Sequence, residues 1–229
     1  METIELAIIA PTYNEGEIAK RVIEEWHAKL ESLGIKNYKF LLIDDGSTDR
    51  TAEIAATAKI PKKNMEILQK SNSGHGRSCI WGYYKALELK PNWIFQIDSD
   101  GQCDPRFFEK LWQVRSDHEV IYGYRKKRED GLGRLVLSRL ISILVFFFTV
   151  RFSRDPNVPY RLLSYSALRV VLKNSFIIEL SNMLLTYKIQ EEFKIHWVDI
   201  SFRKRYDGES SHKLLKTLKS LIELIRSIR

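Results

Sequence analysis

Short apolar segments alternate with helical patterns through the first two-thirds of this chain. The apolar segments lie at residues 5–10, 38–43, 65–68, 93–97 and 120–123, and each has the length of a buried strand. A helix between successive strands carries the chain back to the same end of the sheet, so the strands pair in parallel. The alternation therefore predicts an α/β fold with a mostly parallel central sheet flanked by helices.

Polar residues mark the expected starts of the first helices. Asn14 and Glu17 have the spacing of an N-cap and its capping-box partner. Asp49 is expected to cap a second helix over residues 50–58. Two further helices are predicted over residues 77–89 and 105–116.

Three of the predicted strands are followed by polar motifs. PTYNE at residues 11–15 follows the first strand, DDGSTD at 44–49 follows the second, and DSDGQ at 98–102 follows the fourth. Parallel strands end at the same edge of a sheet, so these motifs are expected to line one ligand crevice.

DSDGQ has the composition of a site for a hard divalent cation. Asp98 and Asp100 are one residue apart, and the amide oxygen of Gln102 follows two residues further on. Mg²⁺ and Mn²⁺ prefer such oxygen ligands and commonly share them with substrate phosphates. Paired aspartates also cap helices, and these residues alone leave that alternative open.

The net charge of +8 is concentrated in two segments. Residues 124–154 hold eight Lys/Arg and two acids, and residues 203–229 hold eight Lys/Arg and three acids. Such basic segments favour phosphates or an anionic membrane surface. Neither segment carries a nucleic-acid recognition signature, so no nucleic-acid partner is expected.

Residues 132–152 are apolar but interrupted by basic and hydroxyl side chains. On a helix, Arg134 would share one stripe with the hydroxyl residues, with Arg139 beside it. A membrane-spanning helix needs about 20 apolar residues without such interruptions. The segment is therefore predicted to lie half-buried along a membrane surface, with an ordinary core-facing helix as the alternative. Residues 214–228 repeat this amphipathic pattern.

Cysteine content and the chain ends bear on the expected cellular setting. Cys79 and Cys103 are the two cysteines, and no secretory leader precedes the first strand, so both are expected to be unpaired in the cytoplasm. With the basic amphipathic segments, this predicts a protein peripheral to the cytoplasmic face of the membrane. The last helical pattern runs to the end of the sequence without a breaker, which is compatible with a longer native chain or a membrane-anchored partner.

Four motifs occurring in order resemble those of one enzyme family. They are PTYNE, DDGSTD, NSGHGRS at residues 72–78, and DSDGQ. The chain resembles family 2 glycosyltransferases of the GT-A fold, and within them the group of dolichol-phosphate mannose synthases and bacterial polyprenyl-phosphate glycosyltransferases. The resemblance implies inverting, metal-dependent transfer of a sugar from a GDP- or UDP-sugar to a polyprenyl phosphate, dolichyl or undecaprenyl, at the membrane surface. It implies a nucleotide-sugar-binding core at residues 1–131 and an acceptor- and membrane-facing part at residues 132–229.

The resemblance also implies which residues bind the donor. Those implied around the nucleotide are Pro11, Tyr13, Glu15, Asp45, Asp98 and Ser99. Asp45 is implied as a contact to the base or ribose, while Asp44 is expected to cap its turn. Asp100 and Gln102 are implied as ligands of Mg²⁺ or Mn²⁺, and Asp100 is counted among the catalytic residues.

Arginine residues are implied as contacts to phosphate groups. Arg125 in the motif GYR and Arg205 in the motif RYDGES are implied as catalytic contacts to the donor phosphates. Arg161, at the end of the motif DPNVPYR, is implied to face the acceptor. Arg134 and Arg139 are predicted to bracket the lipid phosphate.

Two other functions remain open at this point. A family 2 enzyme that acts on a sugar hydroxyl, in surface polysaccharide or glycolipid synthesis, would need a carboxylate base. Glu179 is the candidate for that role. The chain could also be a non-catalytic nucleotide-binding protein at a membrane surface.

Overall fold

The computed structural model describes residues 3–126, 153–173 and 182–204. Several sequence predictions lie outside the described residues. These are the amphipathic segments at residues 132–152 and 214–228, and the roles of Arg134, Arg139, Glu179 and Arg205.

The described residues form a sheet of seven strands in the order β3-β2-β1-β4-β6-β5-β7. The strands are β1 (Leu6–Thr12), β2 (Tyr38–Asp44), β3 (Met65–Gln69), β4 (Trp93–Gln96), β5 (Val120–Arg125), β6 (Arg161–Ser164) and β7 (His196–Ile200). Only β6 runs antiparallel to its neighbours in this sheet. The predicted α/β fold with a mostly parallel sheet is therefore confirmed, and each of the five predicted strands is present within two residues of its expected bounds.

Helices connect the parallel strands. They are α1 (Gly16–Ser32), α2 (Thr51–Ala55), α3 (His75–Glu88), α4 (Phe108–Gln113), α5 (Tyr165–Lys173) and α6 (Asn182–Glu192), with 3-10 turns at Lys62–Asn64 and Pro105–Phe107. The helix predicted over residues 50–58 is present but shorter. The helix predicted over residues 105–116 is present as a 3-10 turn followed by a shorter α-helix. No helix in the described part of the chain is both long and apolar enough to cross a bilayer.

The strand order reverses direction between β1 and β4. From β1 the chain adds β2 and then β3 on one side, and it returns through α3 to place β4 on the other side of β1. Parallel crossovers are right-handed, so α3 lies on the opposite face of the sheet from α1 and α2. A reversal of this kind opens a crevice between the carboxyl ends of the two strands, which is where ligands bind in open α/β sheets.

An aromatic cluster packs α1 against the sheet beneath this crevice. Trp26 is buried, and its ring centroid lies 5.2 Å from that of Phe95, 5.6 Å from Phe108 and 6.0 Å from Tyr160. The cluster joins α1, β4, α4 and the segment that precedes β6. Such rings contribute both buried apolar area and favourable tilted contacts. The cluster therefore fixes β4, and with it the DSDGQ turn that follows.

The predicted N-cap role of Asn14 is wrong. α1 begins at Gly16 without a side-chain cap, and Asn14 has a φ of 54°, in the left-handed region that Asn tolerates. Its backbone N–H donates to the Ser47 hydroxyl at 3.0 Å, and its side-chain oxygen accepts from the Thr48 N–H at 2.8 Å. Asn14 therefore ties the PTYNE motif to the DDGSTD motif instead of capping the helix.

Candidate active site

Ser99 joins the carboxyl ends of β1 and β4. Its hydroxyl lies 2.8 Å from the carbonyl oxygen of Pro11 and 2.7 Å from Oε2 of Glu15. The side chain is buried, so a larger residue would separate the two strand ends. PTYNE and DSDGQ, which are 83 residues apart when counted from Glu15 to Asp98, are therefore parts of one crevice.

The residues of PTYNE differ in how far they face the crevice. Tyr13 is 45% exposed, which leaves its ring accessible for stacking on a base. Glu15 is half-buried against Ser99. Pro11 lies buried inside β1, and its carbonyl oxygen receives the Ser99 hydroxyl, so its place beside the base and ribose stays a prediction.

Asp44 caps the turn after β2, as predicted. Its Oδ1 accepts the Ser47 N–H at 3.0 Å, and its Oδ2 accepts from the Gln69 side chain at 3.2 Å. The second contact reaches β3, so Asp44 holds the ends of β2 and β3 in register. An aspartate that bonds the backbone a few residues ahead is a recurrent way to stabilise such a turn.

Asp45 organises the segment of residues 70–74 that leads into α3. Its carboxylate accepts from the Lys70 ammonium, from the Ser73 N–H at 2.9 Å and from the Gly74 N–H at 2.8 Å. Burial opposes ionisation, but these hydrogen bonds outweigh it and hold the pKa of Asp45 below its usual range. The buried, fully engaged carboxylate corrects the prediction that Asp45 contacts the base or ribose directly.

Gly46 lets the DDGSTD turn approach the same segment. Its φ is +72°, and a Cβ at this position would lie 2.7 Å from the backbone nitrogen of Asn72. A side chain would therefore both strain the backbone and push the two loops apart. The DDGSTD turn and the segment of residues 70–74 pack closely at the rim of the crevice, and this packing explains why the motif has a glycine.

The DSDGQ turn presents oxygen atoms that suit a divalent cation. Oδ1 of Asp100 accepts the Gln102 N–H at 3.0 Å, and Gly101 takes a φ of +80° between them. Asp100 and Gln102 are both partly exposed on this turn. Among the described residues no cluster of three or more His, Cys, Asp or Glu side chains could hold a metal. The donor set fits Mg²⁺ or Mn²⁺ that takes its remaining ligands from substrate phosphates and water.

His75 adds a positive charge that was not anticipated as part of the site. It is the first residue of α3, and its Nε2 lies 3.3 Å from Oδ1 of Asp98 and 3.5 Å from Sγ of Cys79. Charge interactions with the Cys79 sulfur and with the Asp98 and Asp100 carboxylates raise the pKa of His75 to about 10. The motif NSGHGRS drew attention to this segment, but only the fold places the imidazole beside Asp98.

Arg125 is held by a carboxylate at the end of β5. Its Nε and Nη2 atoms contact the two oxygens of Asp155 at 2.7 and 2.8 Å, and its guanidinium lies 5.1 Å from the ring centroid of Phe202. Asp155 is buried, and the Arg125 side chain is 16% exposed. A bidentate pair with a ring on one face leaves the guanidinium little freedom to rotate. The orienting role of Asp155 was not predicted, although the residue begins the motif DPNVPYR.

Arg161 does not face an acceptor in this structure, and that prediction is corrected. The side chain is buried, donates to the carbonyl oxygens of Val158 at 2.7 Å and Pro156 at 2.8 Å, and packs on the Tyr122 ring. The first residue of β6 lies between two strands, so its side chain enters the core, and its charge is satisfied by backbone carbonyls. Arg161 therefore shapes the loop that carries Asp155.

The sheet and its carboxyl-edge crevice define the GT-A fold of glycosyltransferases. A solved glucosyl-3-phosphoglycerate synthase from Mycobacterium tuberculosis, in complex with Mn²⁺, UDP and glucosyl-3-phosphoglycerate, has the same fold, with a TM-score of 0.68 at 16% identity. The superposition covers 98% of this chain and 78% of that chain. Residues 7–175 match the family described as glycosyl transferase family 2, and the chain belongs to that family. The resemblance drawn from the four motifs is thereby confirmed.

Curated relatives carry a more specific name. An undecaprenyl-phosphate 4-deoxy-4-formamido-L-arabinose transferase from Edwardsiella ictaluri is 25% identical over 227 residues, and one from Pectobacterium atrosepticum is 27% identical over 227 residues. Each alignment covers 96% of this chain and 66% of the relative. The chain thus spans about two thirds of the length of these relatives.

Proposed function

We propose that this protein transfers a sugar from a nucleotide-sugar to a polyprenyl phosphate, with inversion at the anomeric carbon. The observation that carries the proposal is the bridge from Ser99 to Pro11 and Glu15. This bridge puts an exposed tyrosine ring and an oxygen-rich turn at one crevice, as a ligand with both a base and a diphosphate requires. The names of the curated relatives support a lipid phosphate as the acceptor.

The donor nucleotide would bind along the ends of β1 and β4. Tyr13 would stack on the base, because its ring is the exposed aromatic group beside the crevice. Glu15, steadied by Ser99, would accept hydrogen bonds from the ribose hydroxyls. Asp98 would contact the nucleotide from the β4 side, with His75 3.3 Å away partly balancing its charge.

The donor diphosphate would lie against the DSDGQ turn. Asp100 and Gln102 would hold Mg²⁺ or Mn²⁺, which supplies positive charge for the phosphate that departs from the sugar. Arg125, whose guanidinium is held by Asp155, would contact the same phosphates. A guanidinium already fixed in place stabilises developing charge without reorganising during the reaction. Arg205 is proposed as a second phosphate contact from its sequence motif.

The acceptor proposal rests on chemistry as well as on similarity. A polyprenyl phosphate is ionised near neutral pH, so its oxygen can attack without a strong general base. A sugar hydroxyl would need a carboxylate base. Asp155 is unsuited to that role because it is buried in its pair with Arg125, and the candidate Glu179 lies outside the described residues. Arg134 and Arg139 are proposed to receive the lipid phosphate, with the protein peripheral to the cytoplasmic face of the membrane.

An acceptor panel tests the proposal. The purified protein would receive a set of GDP- and UDP-sugars with Mn²⁺, and either undecaprenyl phosphate or simple sugars as acceptor, with products read by mass spectrometry. We expect a glycosylated lipid phosphate in one donor combination and no product after EDTA treatment. Glycosylated simple sugars without lipid product would replace the proposal with the hydroxyl-acceptor alternative.

Asp100→Asn tests the cation role within the same assay. Loss of one preorganised charge-stabilising group should lower turnover by about 100-fold or more. Asp117→Asn is the matched control, since Asp117 is exposed just before β5 at the opposite edge of the sheet. Equal turnover in wild type and Asp100→Asn would remove Asp100 from the mechanism.

A further inference from the structure

Arg203 connects three distant parts of the chain beside the DSDGQ turn. It follows β7, and its Nη1 lies 2.7 Å from Oε2 of Glu25 on α1. Its Nη2 lies 2.9 Å from Oδ1 of Asp104, which is the N-cap of the 3-10 turn before α4. One guanidinium therefore holds two carboxylates that lie 79 residues apart in the sequence.

The backbone of Arg203 is paired with Gln102. The Arg203 N–H donates to the Gln102 carbonyl oxygen at 3.0 Å, and the Gln102 side-chain nitrogen lies 3.4 Å from the Arg203 carbonyl oxygen. Gln102 is one of the two residues suited to hold the cation. Arg203 therefore makes both the ion pairs with the two carboxylates and the hydrogen bonds that hold Gln102.

Two arginine side chains, Arg106 and Arg203, contact the Asp104 carboxylate, and they differ in what else they hold. Asp104 is 1% exposed, and both Arg106 and Arg203 donate hydrogen bonds to its carboxylate. Arg106 is only two residues away in sequence, and its side chain is 78% exposed. Arg106 neutralises Asp104 locally, whereas Arg203 links Asp104 to α1 and to the segment after β7.

We propose that Arg203 is a positioning residue that fixes Gln102, and thereby the cation-binding geometry of the DSDGQ turn, by anchoring this turn to Glu25 of α1. The proposal rests on the proposed function in one respect, which is that the turn binds a divalent cation. A planar guanidinium reaches two carboxylates at once, and a lysine ammonium does so poorly. Arg203 itself touches neither the nucleotide nor the cation in this scheme.

Hydrogen exchange tests the anchoring without any ligand. In Arg203→Lys, the amides of residues 102 and 203 should exchange about tenfold faster or more, as expected when a charge-assisted hydrogen bond is lost. Arg106→Lys is the matched control, because it changes an arginine on the same carboxylate, and its exchange at these amides should equal that of wild type. Glu25→Gln, which removes the negative charge from one of the two contacts, should give an intermediate acceleration and serves if Arg203→Lys fails to fold.

A Mn²⁺ titration tests the consequence for the cation. With the cognate nucleoside diphosphate present, Arg203→Lys should raise the apparent dissociation constant for Mn²⁺ about tenfold. In the transferase assay, saturating Mn²⁺ should restore most of the kcat of this variant. A purely structural role would instead lower kcat at every Mn²⁺ concentration. Equal behaviour of Arg203→Lys and Arg106→Lys in exchange and titration would overturn the proposal. A wild-type protein that shows no Mn²⁺-dependent nucleotide binding would refute the cation-binding function instead, and the exchange data would still decide whether Arg203 anchors the turn.

Discussion

Replacing Asp155 by Asn tests how much the pair with Arg125 contributes to stability. Both contacts of the pair are short, at 2.7 and 2.8 Å, and Asp155 is 1% exposed. The amide keeps the shape of the carboxylate, but it removes the negative charge and turns an acceptor toward the guanidinium into a donor. The variant therefore leaves a largely buried cation without its counter-ion.

The burial of the Arg125–Asp155 pair determines how much the free energy of unfolding should fall in Asp155→Asn. Removing one partner of a buried ion pair costs about 3–5 kcal/mol. Arg125 keeps some solvent contact and its Phe202 neighbour, so we expect the lower end, about 3 kcal/mol. For a domain of this size, that corresponds to a melting temperature lower by roughly 6–12 °C.

Urea denaturation is the assay, with an exposed ion pair as the control. Arg50 and Glu53 also approach to 2.7 Å, but their side chains are 79% and 67% exposed. Glu53→Gln should leave the unfolding midpoint unchanged, because exposed pairs contribute little. A loss below about 1 kcal/mol in Asp155→Asn, or equal midpoints in the two variants, would refute the reasoning from burial.

Three further outcomes are expected. Gly46→Ala should destabilise the protein by about 2 kcal/mol or more in the same urea assay, because the φ of residue 46 is positive and a Cβ there would collide with the Asn72 backbone. Wild-type stability of this variant would contradict that packing. Asp45→Asn should be less stable than wild type at pH 6, because the folded state lowers the pKa of the Asp45 carboxylate. This stabilisation is complete above the unfolded pKa and is lost as the pH falls through the folded pKa, so the difference should shrink below about pH 4, and a gap that is constant with pH would exclude this origin. Cys79 and Cys103 are buried and free, and burial raises the pKa of the Cys103 thiol, so iodoacetamide should modify them, by mass spectrometry, only after unfolding.

The first half of the fold could be predicted because its signals are local. Each of the five predicted strands is an apolar run, three of them are followed by a polar motif, and their ends meet as the parallel topology requires. Asn14 was misassigned because its capping-box spacing is a local pattern, whereas its actual contacts to Ser47 and Thr48 come from a loop that only the sheet brings near. β6 and β7 gave no clear sequence signal, since each is short and lacks alternation.

The site was predictable in position but not in detail. The oxygen-rich turn at Asp100 and Gln102 follows from residue types and from the end of β4. By contrast, the partners of a charged side chain depend on long-range contacts, as with Arg161 and the backbone carbonyls that bury it. The contact between Arg203 and Glu25 spans 178 residues, and no local pattern reports it.

The antiparallel strand β6 has a consequence for the segment that precedes it. β5 ends at Arg125 and β6 starts at Arg161 on the same rim, with Tyr122 and Arg161 as register partners. Both ends of residues 126–160 are therefore fixed at one rim of the sheet. Within that segment, residues 153–160 return Asp155 to Arg125 and Tyr160 to the aromatic cluster, so the antiparallel strand couples the site to the core.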